Sequence, residues 1–131
     1  MKFQGLDRKS YSLNVKSIHY PLRTEAACKS KFQYQCGQII KNKFPLSTIL
    51  EEVKLPGHNL ILDFFLPLEK LVFEIDGEQH WEYVPFFHGS RKGFIKARNR
   101  DDDKAKLCEI NGWELIRINS VEELKDILDG R

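Results

Sequence analysis

Two short apolar runs interrupted by acidic residues dominate the middle of the chain. The first covers Leu60–Leu66 and the second covers Lys70–Asp76, with a proline-containing turn between them. Apolar runs of this length on either side of a turn predict two buried strands that pair as a hairpin. Because alternate residues of a strand share a face, we expect Asp63, Glu74 and Asp76 to lie on one face near the end of the hairpin.

The apolar spacing elsewhere predicts helices and strands on both sides of this hairpin. Steps of three or four residues indicate helices, and the Asn-Gly pair at 111–112 is a typical helix end. Residues 1–20 are more polar and are expected to form an extended arm or a short strand. The predicted elements are a helix over Arg23–Lys41 capped by Thr24, a strand over Phe44–Leu55, a helix over Phe94–Asn111, a strand over Trp113–Ile118 and a terminal helix over Val121–Leu128. This order predicts an α/β domain whose mixed sheet has the hairpin at its centre, flanked by helices.

Length and composition indicate one ordinary globular domain. The chain has 131 residues, of which 41% are hydrophobic and 31% charged, and we expect a single domain over residues 1–131 with its core in residues 24–118. Three scattered cysteines do not suggest a disulfide framework, and the N-terminus lacks the apolar core of a signal peptide. No run is long enough to span a bilayer, so the sequence predicts a cytoplasmic protein. The net charge of +2 does not by itself indicate a nucleic-acid partner.

The three acidic residues of the hairpin are the strongest indication of chemistry. A carboxylate within a buried strand is costly unless it is paired or holds a cation. Hard divalent cations such as Mg²⁺ prefer carboxylate oxygens and retain waters for a substrate phosphate. Together with His80, which follows the second strand closely, the group predicts a metal site suited to hydrolysis. The alternative is a hairpin end at which the acids simply meet solvent.

The order of motifs through the chain resembles one nuclease superfamily. Asp63-Phe-Phe-x-Pro and Leu71-Val-x-Glu-Ile-Asp-Gly-x-x-His80 are followed by Asp101-x-x-Lys104 and by Gly-Trp-x-Leu-Ile-Arg at 112–117. This pattern, spread over residues 24–118, resembles the PD-(D/E)xK nucleases, and within them the branch of the very-short-patch-repair endonucleases and the EDxHD homing endonucleases of phage introns. The resemblance implies a restriction-endonuclease-like fold and a DNA endonuclease that uses Mg²⁺, for which Mn²⁺ can substitute.

The resemblance also implies roles for individual residues. Asp63, Glu74 and Asp76 would hold the metal ion. Position 76 carries an aspartate where the superfamily has its lysine, so either His80 or Lys104 would supply the missing cationic function. The full set of catalytic residues that it implies is Glu25 on the inward face of the first helix, Asp63, Glu74, Asp76, His80, Asp101 and Lys104.

A basic segment after the hairpin is the expected DNA contact. Lysine and arginine neutralise backbone phosphates, and this segment follows the predicted catalytic strand directly. A solvated basic helix start is the alternative interpretation. Since the chain leaves little room for a separate DNA-reading domain, we expect a homodimer or a partner protein on double-stranded DNA. The residues expected to contact DNA are Arg91, Lys92, Lys96, Arg98 and Arg100.

Three functions remain open at this level. A phage-type homing endonuclease fits the EDxHD pattern and the small size, and a mismatch nickase of the very-short-patch type is the second enzyme. A catalytically inert DNA-binding module of the same fold is the third, because position 76 lacks the superfamily lysine. The cysteines Cys28, Cys36 and Cys108 include no Cys-x-x-Cys pair, so we expect no structural zinc.

Overall fold

A four-stranded mixed sheet lies at the centre of the described part of the chain. The structure is a computed structural model that describes residues 1–76 and 91–131, with the backbone alone for residues 91–98. Its elements are β1 (Lys2–Gln4), β2 (Ser10–Ser12), α1 (Lys31–Lys43), β3 (Leu50–Lys54), β4 (Ile61–Leu66), β5 (Leu71–Ile75), α2 (Arg91–Asn111), β6 (Glu114–Ile118) and α3 (Val121–Asp129). Strands β3, β4, β5 and β6 are neighbours in that order, and only β5 and β6 are parallel. The predicted α/β class with a mixed sheet is confirmed.

The predicted hairpin is formed by β4 and β5. Phe65 pairs with Val72 and Phe64 pairs with Phe73 in an antiparallel register. Successive residues alternate between the two faces of the sheet, so these two pairs lie on opposite faces. Both faces are covered, since all four side chains are fully buried. A strand pair that is buried on both sides reads as a continuous apolar run, which explains why the hairpin is so visible in the sequence.

Helices and the N-terminal hairpin cover the two faces of the sheet. On one face, α1 and α3 pack through Ile40 and Leu124 against Phe64 and Phe73. On the other, α2 packs through Leu107, and the β1–β2 hairpin joins the same core. No helix in residues 1–76 or 91–131 is long and apolar enough to cross a membrane.

The start of the first helix differs from the prediction. The helix begins at Lys31, where the Ser30 hydroxyl accepts from the backbone N–H of Gln33 at 3.0 Å. A serine at this position satisfies a helix N–H that would otherwise have no partner. Thr24 instead begins a single turn, because its carbonyl accepts from the N–H groups of Ala27 and Cys28. The predicted helix over Arg23–Lys41 therefore starts too early.

Two further predictions are corrected at element boundaries. The strand predicted over Phe44–Leu55 is formed only from Leu50 onward, and the preceding residues form a turn after α1. The N-terminal residues form a hairpin that contributes Phe3 and Leu13 to the core, so the core is not confined to residues 24–118.

The β3–β4 turn is held against this N-terminal hairpin. Gly57 has a φ of 74°, and a Cβ there would lie 2.2 Å from a ring carbon of Tyr11, so only glycine fits. His58 accepts at Nε2 from the N–H of Leu6 at 3.1 Å. Its Nδ1 lies 2.9 Å from the carbonyl of Pro56, which can only accept, so the ring is neutral with its proton on Nδ1. Both ring nitrogens are therefore engaged.

A matched pair of leucine substitutions tests the buried sheet. Leu62 on β4 is fully buried, whereas Leu46 in the turn after α1 is 100% exposed. We expect Leu62→Ala to lower the free energy of unfolding by about 2–5 kcal/mol, because a core cavity is left behind. Leu46→Ala removes the same atoms from a solvent-exposed position and leaves no cavity, so it should lower the free energy of unfolding by less than about 0.5 kcal/mol. Urea unfolding followed by circular dichroism measures both, and equal losses would contradict this packing.

Candidate functional site

Two carboxylates interlock across the hairpin at its open end. The N–H of Asp63 donates to Glu74 Oε2 at 2.8 Å, and the N–H of Ile75 donates to Asp63 Oδ2 at 2.7 Å. In a regular antiparallel ladder strand N–H groups donate to backbone carbonyls, so each acid here replaces a carbonyl as acceptor. This exchange fixes both side chains on the same face, as the alternation along the strands predicts.

Helix α2 supplies a cation to this pair. Lys104 Nζ donates to Glu74 Oε1 in a close ion pair, in which the side chain of Glu74 is 3% exposed and that of Lys104 is 14% exposed. Both oxygens of Glu74 are therefore engaged, one by a backbone N–H and one by an ammonium. The lysine three residues after Asp101 thus reaches the acidic pair, which the sequence left open as one of two alternatives.

An arginine of β6 connects the remaining acids. Arg117 stands beside Glu74 in the parallel register. Its Nη1 lies 2.8 Å from Asp101 Oδ2 and 3.9 Å from Asp76 Oδ2, and its Nη2 donates to the backbone carbonyl of Asp101 at 3.1 Å. The guanidinium therefore ties α2 to β6 and partly neutralises the edge of the acidic group.

Strand β3 adds two glutamates that the sequence analysis missed. The side-chain amide of Gln33 donates to Glu51 at 2.9 Å and to Glu52 at 3.0 Å. Consecutive strand residues normally face opposite ways, but Glu52 has a φ of 55°, a left-handed conformation that is unfavourable for a side chain other than glycine. Lys29 lies 3.1 Å from Glu52, whose side chain is 5% exposed. By the strand register Glu52 faces Asp63 across the sheet.

The structure brings together most, but not all, of the predicted site residues. Asp63, Glu74 and Lys104 form one bonded group, and Asp76 and Asp101 form a second one with Arg117. The charges of the two groups act on one another, since Asp63 and Lys104 influence the pKa of Asp76. The predicted position of Glu25 on the inward face of the first helix is wrong, since this residue lies exposed on the turn that starts at Thr24. The helix instead contributes Gln33, and the signal that could have found its partners is the pair of adjacent glutamates within an apolar strand.

The remaining predictions concern the segment after β5. His80 and the side chains of Arg91, Lys92, Lys96 and Arg98 lie outside the described residues, although positions 91–98 belong to α2. Arg100 is exposed on the same helix, one residue before Asp101. The predicted basic surface therefore begins on the helix that carries Lys104.

Burial makes the acidic group retain protons. It raises the pKa of Asp63, and together with the charge of Asp63 it raises the pKa of Glu74 to about 7. Burial also raises the pKa of Asp76 to about 6. For Lys104 burial opposes the charged form, but the Glu74 carboxylate outweighs it and raises the pKa. The lysine therefore stays an ammonium, while the carboxylates favour a bound proton or another cation.

The oxygens that stay open decide whether a divalent cation fits. Among the described residues no three side chains converge closely enough to hold a metal ion as they stand. Mg²⁺ commonly takes one or two carboxylates and keeps its other positions for water and substrate phosphate. The second oxygen of Asp63 and the carboxylate of Asp76 are the groups left for that purpose by the contacts described above. These oxygens are of the kind that a hard cation binds, whereas both oxygens of Glu74 are already engaged by Lys104 and by the N–H of Asp63.

A cavity away from the acidic group has a different lining. It has a volume of about 760 Å³ and lies between α1 and the start of α3. Its lining includes Phe32, Gln38 and Ser120 but none of the clustered carboxylates. Since none of the clustered carboxylates reaches this cavity, we place the candidate site at the acidic group.

Comparison with known proteins identifies viral relatives of part of the chain. No family model matches it, and no solved structure matches it significantly. The uncharacterized protein 033L of Invertebrate iridescent virus 3 is 35% identical over 71 residues, which are 54% of this chain and 37% of that protein. The uncharacterized protein 307L of Invertebrate iridescent virus 6 is 35% identical over 60 residues, or 46% of this chain and 30% of that protein. Protein 094L of Frog virus 3, also named uncharacterized, is 38% identical over 63 residues, or 47% and 41% respectively. The matched stretches span less than half of each relative.

The raised pKa of Asp76 predicts a pH-dependent effect on stability. Its folded-state pKa of about 6 lies above the ordinary value of 3.8, so the folded protein binds more protons than the unfolded chain between these values. The free energy of unfolding therefore falls as pH rises through this window. Asp76→Asn should remove this fall. The free energy of unfolding of the variant minus that of wild type should therefore be higher at pH 7 than at pH 4, by on the order of 1 kcal/mol. Urea unfolding at the two pH values with EDTA measures the difference, and an equal difference at both would contradict the assignment.

Proposed function

We propose that the chain is a Mg²⁺-dependent DNA endonuclease with a restriction-endonuclease-like core. The observation that carries the proposal is the interlocked pair of Asp63 and Glu74 with the Lys104 ammonium bound to it. An acidic pair on adjacent strands with a lysine beside it is the arrangement that the resemblance requires. This lysine comes from a helix and not from position 76, and its contact with Glu74 supports an active enzyme despite the aspartate at that position.

The charge balance around this pair supports a cation-dependent site. Five carboxylates of the described residues belong to these contacts or act on Asp63 through their charge, against three cationic side chains. An excess of partly buried negative charge is unfavourable unless protons or cations neutralise it. When bound, Mg²⁺ would lower the pKa of an attacking water and stabilise phosphate charge. The acidic residues are Glu52, Asp63, Glu74, Asp76 and Asp101, and the cationic residues are Lys29, Lys104 and Arg117.

The proposed roles follow from the contacts. Asp63 and Asp76 would hold the ion, because they keep oxygens free of strong partners. Glu74 positions Lys104, whose ammonium can donate a proton or a hydrogen bond to a phosphate oxygen at the same edge of the sheet. Arg117 holds the middle of α2 in place through Asp101. Hydrolysis by activated water would leave 5′-phosphate ends, as the resemblance implies.

Double-stranded DNA is the proposed substrate. The exposed Arg100 lies next to Asp101 on α2, and the preceding turns of this helix carry the lysines and arginines named in the sequence. Cationic side chains at the mouth of an acidic site can bind the flanking phosphates while the acids bind the metal ion. The cationic side chains would thus keep DNA near the site, although DNA and the acidic group are both negatively charged.

Cleavage of supercoiled plasmid tests the proposal. Wild type should nick or linearise it with Mg²⁺ or Mn²⁺ and not with EDTA, and Asp63→Asn should abolish this activity. DNA binding without cleavage under any metal condition would support the inert module instead.

A matched pair of lysines tests the role assigned to α2. Lys104→Met should lower the rate of cleavage by about a hundredfold, because a positioned proton donor contributes at least that much. Lys106→Met changes an exposed lysine on the same helix and should leave the rate within about twofold. Both are compared with wild type at saturating Mn²⁺, with circular dichroism as the check on folding. Equal rates for the two variants would remove Lys104 from the site.

The biological role within this class is a narrower proposal. The EDxHD pattern favours a phage-type homing endonuclease over a mismatch nickase, and either would act as a homodimer or with a partner protein. Duplexes with and without a single mismatch separate the two enzymes, because only the nickase requires the mispair. Sedimentation of the protein on its preferred DNA gives the oligomeric state, and a monomer would exclude the dimer.

A further inference from the structure

A second cavity lies against α2, the helix that carries Lys104. It has a volume of about 490 Å³ and is enclosed by the N-terminal hairpin, the β3–β4 turn and α2. Volumes of this order are typical of sites for small organic groups. The lining residues are Leu6, His58, Asn59, Leu60, Asn99, Arg100 and Asp103.

Its position relative to the proposed catalytic residues is fixed by the chain. Asp103 directly precedes Lys104 on α2, so the two point to adjacent directions around the helix. Leu60 directly precedes β4, three residues before Asp63. The cavity therefore shares α2 and the start of β4 with the acidic group, while its lining contains none of the acids assigned to the metal.

The lining combines apolar surface with polar groups that point to a flat polar ligand. Leu6 and the buried Leu60 supply apolar contacts. His58 adds an aromatic ring that is held in place by the hydrogen bonds of its two nitrogens and by packing against Phe3 and Tyr11. Asn59, Asn99 and Asp103 add hydrogen-bonding groups on the remaining sides. A nucleobase has this combination of apolar faces and a polar edge.

We infer that this cavity binds an unpaired nucleobase carrying an exocyclic amino group, next to the phosphate that is cleaved. This inference rests on the proposed function, since it names how the same site selects its substrate. Arg100 lines the cavity and belongs to the predicted DNA-contacting residues, so the backbone of a bound strand would pass its mouth. A base that enters must leave its stack, which costs least in single-stranded or mispaired DNA.

The carboxylate of Asp103 determines which bases fit. An ionised carboxylate can only accept hydrogen bonds, and the amino groups of adenine, cytosine and guanine are donors. Thymine has one ring N–H between two carbonyl oxygens, which a carboxylate repels. The cavity should therefore disfavour thymine at one position, and an amide at residue 103 should remove this bias because it can donate as well as accept.

Selection from a pool of random-sequence DNA tests the inference without relying on cleavage. Full-length protein is equilibrated with partly single-stranded oligonucleotides in Ca²⁺, and the bound fraction is sequenced. A second pool is cleaved in Mn²⁺ and its ends are sequenced. The variant is Asp103→Asn, and the matched control is Asp102→Asn, which changes the neighbouring exposed aspartate outside the cavity.

The expected result is thymine depletion of about fivefold or more at one position in wild type and Asp102→Asn. Asp103→Asn should lose this depletion, and Asp102→Asn should also keep overall DNA affinity within about twofold of wild type. A uniform base distribution in wild type, or one that Asp103→Asn leaves unchanged, would overturn the inference. Biased binding without cleavage would reject the nuclease and keep the cavity, whereas cleavage without bias would do the reverse. A protein that neither binds nor cuts DNA would reject both.

Discussion

The exchange of hydrogen bonds between Asp63 and Glu74 is the constraint on which the rest of the site depends. Each acid accepts from a backbone N–H of the opposite strand, so neither can turn away without leaving that N–H unsatisfied. The exchange therefore holds two carboxylates side by side in a buried sheet. Their mutual repulsion must then be relieved from outside the hairpin, and Lys104 of α2 provides this relief.

This arrangement is difficult to explain by stability alone. A buried ion pair commonly contributes little, because desolvation of both charges offsets their attraction, and apolar residues of similar volume often stabilise as well. Here the pair of Glu74 and Lys104 sits at the end of strands that are otherwise apolar. Carboxyl groups whose pKa burial raises to about 7 and about 6 cluster at functional sites more often than in ordinary cores. This balance supports the function proposed for the site.

Strand β3 shows how the site is supported from the other side. One amide, that of Gln33, satisfies two consecutive glutamates, and this requires a left-handed backbone at Glu52. Such a conformation costs of order 1–3 kcal/mol and persists only when surrounding contacts determine it. The contacts of Lys29 and Gln33 with Glu52 are of this kind. The first helix thus fixes the edge of the acidic group through an amide, where the sequence suggested a carboxylate from Glu25.

The sequence by itself determined the hairpin and the common face of Asp63, Glu74 and Asp76. These features follow from local rules, since a strand buried on both faces reads as an apolar run and alternate residues share a face. The helix that carries Asp101 and Lys104 was also predicted from a local pattern, the steps of three or four residues along one face. Only the tertiary structure decided that Lys104 reaches Glu74, that Arg117 joins Asp101 to Asp76, and that Gln33 takes the place expected for Glu25. These contacts join residues far apart in the chain. The spacing of residues along the sequence predicts a helix or a strand, but it does not predict which turn of a helix packs against which strand.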